Sequence, residues 1–308
     1  MKYPIALASL IATAKAASCD SPVQRKSFTS LTDTDKSAYL DAVSCLITHD
    51  AVFGLYDGAT TLWDEQQYLH LTMSNYIHDV TYCGYTGGIP YWDEQADASN
   101  ITQSAVWDSQ YGVGGDGNSS DSDIVTDGPF ANMELHVAAL ASNKVVPKTA
   151  TYHLNRTISV STFYGANQTY VDACFELDTY DEAWPCYAAK PHSSAHAGTG
   201  GTMQDAALSP GDPIFFLHHT NLDRLWWLWQ SANLTSRLSD MGGQNVPTAA
   251  FNAQNSWDAP GANFTDYSGD PANVTTLAHV LSMYDMIPNV TIADIMDVGG
   301  EVVCAEYV

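Results

Sequence analysis

Basic residues are scarce in this sequence: its 308 residues include 11 Lys and Arg against 35 Asp and Glu, which gives a formal net charge of −24 at pH 7. An electrostatic field of that sign repels phosphate backbones and anionic lipid headgroups. We therefore expect no nucleic-acid partner and no role at a membrane surface. The acidic surface also keeps a protein in solution, which is the simpler interpretation of the charge.

Long apolar runs are absent after the N-terminus, so the sequence predicts no transmembrane helix. At the N-terminus, Lys2 precedes the apolar run IALASLIA, and Ala14 and Ala16 have the A-x-A spacing of a signal-peptide cleavage site. We predict a signal peptide over residues 1–16 and a secreted protein. A buried N-terminal helix is the alternative interpretation of this segment.

Cysteines and glycosylation sequons agree with secretion. Six cysteines suit three disulfides in an oxidising compartment. Several connectivities are possible, and we predict Cys19–Cys304, Cys45–Cys83 and Cys174–Cys186. Eight Asn-x-Ser/Thr sequons, a dense set for a protein that never meets a glycosylation machinery, lie at Asn100, Asn118, Asn155, Asn167, Asn233, Asn263, Asn273 and Asn289.

Helical periodicity marks four segments. They are DTDKSAYLDAVSCLITH, which Asp33 or Asp35 can cap, TLWDEQQYLHLTMSNYIH, ANMELHVAALA and FFLHHTNLDRLWWLWQSA. The last is so apolar that we expect it at the centre of the core. Residues 109–129 are rich in Gly, Ser and Asp and are expected to form a long surface loop. No repeat or sharp change in composition divides the chain, so we expect one mostly helical domain.

Four of the ten histidines lie close together late in the sequence. PHSSAHAGTGGTM has His192 and His196 four residues apart, and DPIFFLHHTNLDRLW has His218 and His219. Two imidazoles at i and i+4 share one face of a helix, and a third from another helix completes a site for zinc, copper or iron. The glutamate of the zinc-protease motif HExxH is absent, so hydrolysis by that route lacks its general base. Taken alone, His192 and His196 are equally well explained as ordinary surface or core histidines.

The second of these segments resembles a known copper signature. Asp212, Pro213, Phe215, His219 and Asp223 form D-P-x-F-x-x-x-H-x-x-x-D, which is similar to the second copper site (CuB) of tyrosinases and catechol oxidases. The segment PHSSAHAGTGGTMQD resembles the part that supplies the first two CuB histidines in short secreted fungal members. Further segments resemble the same domain, so the resemblance covers nearly the whole mature chain: CGYTGGIPYWDE, TDGPFANMELH, HLNRTI, ADIMDVGG and CAEYV.

The resemblance implies a fold and a set of ligands. The fold is mainly α, a four-helix-bundle core with long loops and few short strands, forming one copper-binding domain over residues 17–308. The implied CuB ligands are His192, His196 and His219, whereas the pattern does not assign His218 to metal. Phe215, one turn before His219, is expected to pack against an imidazole as well as to serve the core.

Three other positions gain roles from the resemblance. Asp223 is expected to accept a hydrogen bond and orient a metal ligand, with a surface carboxylate as the alternative. Ala206 occupies the gate position thirteen residues before His219 and is small enough to leave the copper open to a phenolic ring. Ser193 follows His192, where the better monophenol hydroxylases of the family often carry Asn, so we expect diphenol oxidation.

The first copper site (CuA) is incomplete in this sequence. His70 and His78, in LWDEQQYLHLTMSNYIH, resemble the first two of its three histidines. The third belongs to a helical block like F-L-x-W-H-R, but here DVTY leads directly from His78 to CGYTGG, and the sequence contains no His-Arg pair. We predict a deleted bundle helix and a CuA that binds metal more weakly than CuB. His49 is the nearest substitute in sequence, at a position where the pattern places no ligand.

The implied function is a secreted copper oxidase that holds two coppers in the family and uses dioxygen to convert o-diphenols or o-aminophenols into o-quinones. The gap at CuA favours two alternatives: a non-catalytic protein with one copper at CuB, or a splice or gene-model variant of an active enzyme. A carbohydrate-active protein is a third, suggested by 17 Tyr and 8 Trp. These aromatic residues are better explained as core, since Trp226, Trp227 and Trp229 share one apolar segment.

Overall fold

Helices are the main secondary structure of the computed structural model, which describes residues 19–73, 83–139, 147–245, 269–270, 272–282 and 286–308. The helices are α1 (Asp33–Thr48), α2 (Leu62–Met73), α3 (Glu94–Asp97), α4 (Val160–Phe163), α5 (Gln168–Phe175), α6 (Tyr180–Tyr187), α7 (Ser193–Thr199), α8 (Ile214–Ser231), α9 (Leu234–Arg237) and α10 (Ile292–Ile295). A π-helical turn, Ala188–His192, leads directly into α7. The predicted signal peptide and the segment around His78 lie outside the described residues.

The strands are short and form two-stranded sheets. β1 (Val23–Arg25) pairs in parallel with β6 (Ala305–Tyr307). β2 (Glu134–Ala139) pairs antiparallel with β3 (Pro147–His153), and β4 (Val280–Leu281) pairs antiparallel with β5 (Val290–Thr291). The expectation of a mainly α fold with few short strands is confirmed. None of the helices in the described ranges is long and apolar enough to cross a bilayer.

The predicted helix over ANMELHVAALA is wrong, because most of this segment forms β2. Leu135 and Val137 are fully buried, whereas Glu134, the residue before Leu135, is exposed. This alternation has the period of a strand. Leu135 lies opposite Tyr152 on β3, and the Tyr152 hydroxyl donates to the Val137 carbonyl oxygen at 2.8 Å. Cross-strand packing therefore overrides the helical propensity of the alanines.

The first helix begins as its sequence indicates, but with a different cap. Thr32 is the N-cap of α1, and its hydroxyl oxygen accepts a hydrogen bond from the backbone N–H of Asp35 at 3.2 Å. Asp33 and Asp35 lie in the first turn, where their charges favour the positive end of the helix dipole. The expected capping role of either Asp is thus taken by the preceding threonine.

Helix α8 joins two apolar clusters and is central to the core, as expected. Its first turns supply Phe215, Phe216 and Leu217 to the larger cluster, which also includes residues of α1 and α2. Its last turns supply Leu225 and Trp229 to the smaller cluster, which it shares with α5 and α6. A helix that is apolar on several faces needs such partners on more than one side.

All three predicted disulfides are present. Cys45–Cys83 ties α1 to the turn that precedes α3, and Cys174–Cys186 joins α5 to α6. Cys19–Cys304 joins the two ends of the described chain next to the β1–β6 pair. These links hold the segments on either side of α8 in fixed positions.

A buried ion pair fixes the start of α8. The Arg156 guanidinium donates to both carboxylate oxygens of Asp212, at 2.7 and 2.8 Å, and both side chains are fully buried. Nη1 of Arg156 also donates to the carbonyl oxygens of residues 113–115, so the Gly-rich loop is held against the same point. Asp212 Oδ1 in turn accepts from the backbone N–H of Ile214 at 3.1 Å. The orientation of α8, and hence of its histidines, depends on this clamp.

Candidate metal centre

Helices α7 and α8 bring four imidazoles together. The ligand nitrogens of His192, His196, His218 and His219 all lie within 4.8 Å of one another. His192 ends the π-helical turn and His196 is one helical turn further on, with ring centroids 4.6 Å apart. The two rings from α8 have centroids 4.9 Å apart. The three histidines that the sequence predicts for CuB therefore converge, and His218 joins them.

The outer nitrogens of these rings face fixed acceptors. Nδ1 of His192 lies 3.3 Å from the Ala188 carbonyl oxygen, and Nδ1 of His196 lies 2.7 Å from the Met203 carbonyl oxygen. A neutral imidazole that donates from Nδ1 keeps its lone pair on Nε2. Both rings therefore present a lone pair on the nitrogen that remains, which is the form a metal ion binds.

Buried nitrogens without partners identify the centre as a binding site. Among the residues that the structure describes, Nε2 of His218, Nε2 of His219 and Nδ1 of His70 are buried and have no hydrogen-bond partner. Each such atom costs about 1–3 kcal/mol of desolvation when nothing replaces water. Imidazole nitrogens suit copper, zinc and iron, so a transition-metal ion satisfies these atoms. The donor set thus fits the metal that the family pattern implies.

Burial keeps these imidazoles neutral. It lowers the pKa of His192 to about 4, with a smaller contribution from the neighbouring His218. It lowers the pKa of His218 to about 3 and, with His218 and His192 adding to the effect, that of His196 to about 2. The pKa of His219 is shifted in the same direction by burial and by the adjacent rings. Neutral rings need lose no proton before they bind a metal ion.

Phe215 packs against the imidazoles from inside α8. Its ring centroid lies 4.0 Å from that of His219 and 5.8 Å from that of His196. On another side it meets the edge of His70 at 5.1 Å. Phe215 is nearly fully buried, so it serves the core and restrains the rings at the same time.

His70, on α2, is the predicted CuA ligand that the structure describes, and it lies beside the histidine cluster. Burial lowers the pKa of His70 to about 4, and a hydrogen bond to the Ala207 backbone partly opposes that shift. The Phe215 ring contacts both His70 and His196, with centroid distances of 5.1 and 5.8 Å, so His70 lies close to the cluster. His78 lies outside the described residues, so its position is left as a prediction.

Asp223 has a different role from the one expected. Its carboxylate accepts a hydrogen bond from Arg25 Nη1 at 2.7 Å and another from the Tyr307 hydroxyl. Its side chain is 43% exposed. The β1–β6 pair brings the Arg25 guanidinium and the Tyr307 hydroxyl beside α8. The Asp223 carboxylate therefore binds these two groups, whereas the sequence predicted that it orients a metal ligand. Asp223 ties the joined chain ends to α8.

Glu94 is the carboxylate that contacts the cluster, and sequence reasoning missed it. Nδ1 of His218 lies 2.5 Å from Oε1 of Glu94, and Asn221 Nδ2 donates to Oε2 at 3.1 Å. Burial raises the pKa of Glu94 above its ordinary value. The available signal was a pair of acidic residues, Asp93 and Glu94, next to the apolar run IPYW, where a buried carboxylate needs a polar partner.

The two gate residues lie at the exposed rim. Ala206 is exposed, and the carbonyl of the next residue is the one that meets His70. Ser193 is exposed too, and its hydroxyl donates to the Ala188 carbonyl oxygen at 2.8 Å. Their place at the entrance to the site remains a prediction.

The remaining histidines of the described chain have other partners. His136 Nδ1 lies 3.1 Å from the buried carboxylate of Asp64, and His153 Nδ1 lies 3.2 Å from the Asn132 carbonyl oxygen. His49 Nδ1 lies 2.9 Å from the carbonyl oxygen of Asp50, and His49 is not a member of the histidine cluster.

Comparisons with known proteins agree with this geometry. A family model described as the common central domain of tyrosinase matches residues 61–232, more than half of the chain. The chain is 25% identical to the tyrosinase-like protein phomQ1' of Diaporthe leptostromiformis, over 94% of this chain and 80% of that protein. It is 24% identical to the tyrosinase ustQ of Aspergillus flavus, over 94% of this chain and 80% of that protein.

A solved structure shares the fold. The chain matches a polyphenol oxidase variant from Thermothelomyces thermophila with a TM-score of 0.72 and 22% identity, over 93% of this chain and 89% of that chain. The histidine cluster, the matched central domain and this shared fold point the same way. The chain belongs to the tyrosinase family of copper-dependent oxidases.

Proposed function

We propose that this chain is a secreted oxidase of o-diphenols and o-aminophenols, which it converts to o-quinones with dioxygen, and that His192, His196 and His219 hold copper. The observation that carries the proposal is the convergence of these imidazoles within 4.8 Å, with Nε2 of His219 buried and unpartnered among the described residues. Copper bound there supplies electron transfer from the phenol to dioxygen.

The chain's own residues prepare the site before any metal binds. Backbone carbonyls fix the rings of His192 and His196 through Nδ1, so little rotamer freedom is lost on binding. Phe215 holds the His219 ring by direct stacking. Burial excludes water, which strengthens every interaction between the nitrogens and a cation.

The rim supports a small aromatic substrate. The Ala206 side chain is exposed and small, which leaves room for a phenolic ring next to the histidines. The Ser193 hydroxyl donates to the Ala188 carbonyl instead of facing the site. It therefore orders no water for proton abstraction from a monophenol, which favours diphenol oxidation over hydroxylation.

The proposed activity is impaired by the gap at CuA. His70 supplies one nitrogen beside the cluster, but the sequence has no helix with a His-Arg pair between His78 and Cys83. A site with two imidazoles lacks a third fixed donor and binds copper weakly. The same gap supports the second candidate, a non-catalytic protein with a single copper. It also supports a splice or gene-model variant of an active enzyme.

The test is the copper content and oxidase activity of the secreted protein. Secretion with a new N-terminus at Ala17 would support a signal peptide over residues 1–16, followed by one domain over residues 17–308. We expect about one copper per chain by elemental analysis, and slow oxidation of catechol and 2-aminophenol that His219→Gln abolishes. A chain with one copper and no oxidation of either compound favours the binding protein. A chain that binds no copper contradicts both candidates.

A further inference from the structure

We infer that Asp205 selects the substrate by charge, so that the site favours phenols with an ammonium group over phenols with a carboxylate. The inference rests on the proposed function and narrows the substrate class within it. Asp205 directly precedes Ala206, the predicted gate residue, and neither belongs to the predicted metal ligands.

A short segment after α7 joins two histidines on either side of the site. The Met203 carbonyl oxygen lies 2.7 Å from Nδ1 of His196, and the Ala207 backbone is hydrogen-bonded to His70. The segment therefore runs from one imidazole to the other, and Asp205 is its middle residue. Its position in the fold relates it to both rings.

Hydrogen bonds hold the Asp205 carboxylate in a fixed position. Its Oδ1 accepts from the backbone N–H of Ala207 at 2.9 Å and from that of Leu208 at 3.1 Å. The Ser209 N–H donates to the Asp205 carbonyl oxygen at 2.9 Å. Gln67 of α2, the helix that carries His70, donates to the Leu208 carbonyl oxygen at 3.0 Å. A carboxylate held in this way meets each incoming ligand in the same orientation.

The charge of Asp205 is not neutralised by a neighbour. The residue is exposed, and no Lys, Arg or His of the described ranges forms an ion pair with it. Its Oδ2 accepts no hydrogen bond from the part of the chain that the structure describes. The net charge of −24 acts in the same direction, because a negative field attracts cations and repels anions.

The chemistry of a phenolic ligand decides which end meets this charge. A ring whose hydroxyl group reaches the histidines past Ala206 directs its opposite substituent back toward the surface, where Asp205 lies. Asp205 attracts a protonated amine at that end and repels a carboxylate. Because this contact is exposed to solvent, salt weakens it.

The experiment measures binding to the copper-loaded chain without turnover. Tyramine, phloretate and p-cresol are phenols with a positive, a negative and no charge, and each is titrated under nitrogen at low ionic strength. Broadening of the ligand proton NMR lines by Cu(II) gives the dissociation constant of the ring beside the metal. We expect tyramine to bind about tenfold more tightly than phloretate, with p-cresol between them.

Asp205→Asn removes the charge and keeps an Oδ1 acceptor for the two backbone N–H groups. It should lower the ratio of the two affinities about three- to fivefold and leave p-cresol binding unchanged. Asp108→Asn is the matched control. Its Oδ1 also accepts from two backbone N–H groups, at 2.8 and 2.7 Å, and the net charge changes equally. The control should keep the wild-type ratio.

Equal binding of tyramine and phloretate to wild type would overturn the inference, and this result needs no variant. An unchanged ratio in Asp205→Asn, or an equal decrease in Asp108→Asn, would overturn it as well. The uncharged p-cresol separates the two proposals. If p-cresol does not bind beside the copper, the proposed function fails and the inference fails with it. If p-cresol binds and the ratio does not respond to Asp205, only the inference fails.

Discussion

Three imidazoles of the cluster have one nitrogen hydrogen-bonded to the protein, and the identity of that partner decides what the other nitrogen can do. Backbone carbonyls take Nδ1 of His192 and His196, and a carboxylate takes Nδ1 of His218. A carboxylate is the stronger acceptor, so it makes the ring more electron-rich and fixes it more firmly. The residue-scale chemistry therefore depends on Glu94 as well as on the histidines.

Glu94→Gln tests this dependence at nearly constant size. An amide offers one oxygen, so either Nδ1 of His218 or Nδ2 of Asn221 loses its acceptor. We expect copper binding to weaken about tenfold, measured by chelator competition. Glu134→Gln, which changes an exposed carboxylate on β2, is the control and should bind as wild type does. Equal copper affinity of Glu94→Gln and wild type would contradict the positioning role of Glu94.

Sequence reasoning identified the converging histidines more easily than the residues that orient them. His192, His196 and His219 are identified by local spacing within two segments. Glu94 meets His218 across 124 positions of the chain, and no local pattern carries that pairing. Asp223 has the spacing from His219 that the family pattern requires, but Arg25, on a strand distant in sequence, binds its carboxylate.

The position of α8 is set by its first residues. Asp212 accepts a hydrogen bond from the backbone N–H of Ile214, the first residue of α8, and binds Arg156 through both carboxylate oxygens. Arg156 follows β3 and also holds the carbonyls of residues 113–115. One guanidinium thus links a loop, a strand and the helix that carries half of the histidine cluster.

Arg156→Gln is expected to destabilise the protein by about 3–5 kcal/mol, because it leaves the buried Asp212 charge without its partner. Urea unfolding measures the loss. Arg25→Gln is the matched comparison and should cost less, since its partner Asp223 is 43% exposed and solvent screens the pair. Equal losses of unfolding free energy in the two variants would show that the Arg156–Asp212 pair stabilises the protein no more than the Arg25–Asp223 pair.

Element type was predictable where one periodicity dominates. α1 and α8 carry long helical patterns and are helices. The segment ANMELHVAALA is short and contains both alanines and an alternating E-L-H-V, so both periods fit. Its strand state depends on pairing with β3, which begins at Pro147. Local sequence alone does not contain that partner.

At the scale of the whole molecule, the β1–β6 pair and the disulfides connect segments that are distant in sequence. The β1–β6 pair and Cys19–Cys304 bring the two ends of the described chain together. Cys45–Cys83 closes the segment in which CuA would be completed. The described elements on both sides of residues 74–82 are held in place, so we predict that the loss of the CuA block is local.

Insertion of a helix with a His-Arg pair between His78 and Cys83 should raise the copper content from about one to about two per chain. The inserted imidazole gives CuA its third nitrogen, and the helix covers apolar surface of its neighbours. Elemental analysis of the purified protein measures the change. The same insertion with Ala in place of the new histidine should stay near one copper. Two coppers per chain without any insertion would contradict the proposed defect.

The sequence by itself determined the family, the mainly α class and the spacing of His192, His196 and His219, and its predicted disulfide pairs are present. These depend on local spacing, on apolar periodicity and on cysteine placement, all of which a linear pattern preserves. Only the tertiary structure decided that Glu94 supports His218, that Asp223 binds Arg25, and that the segment after Met133 is a strand. Each of these depends on a partner distant in sequence, and burial rather than spacing selects that partner.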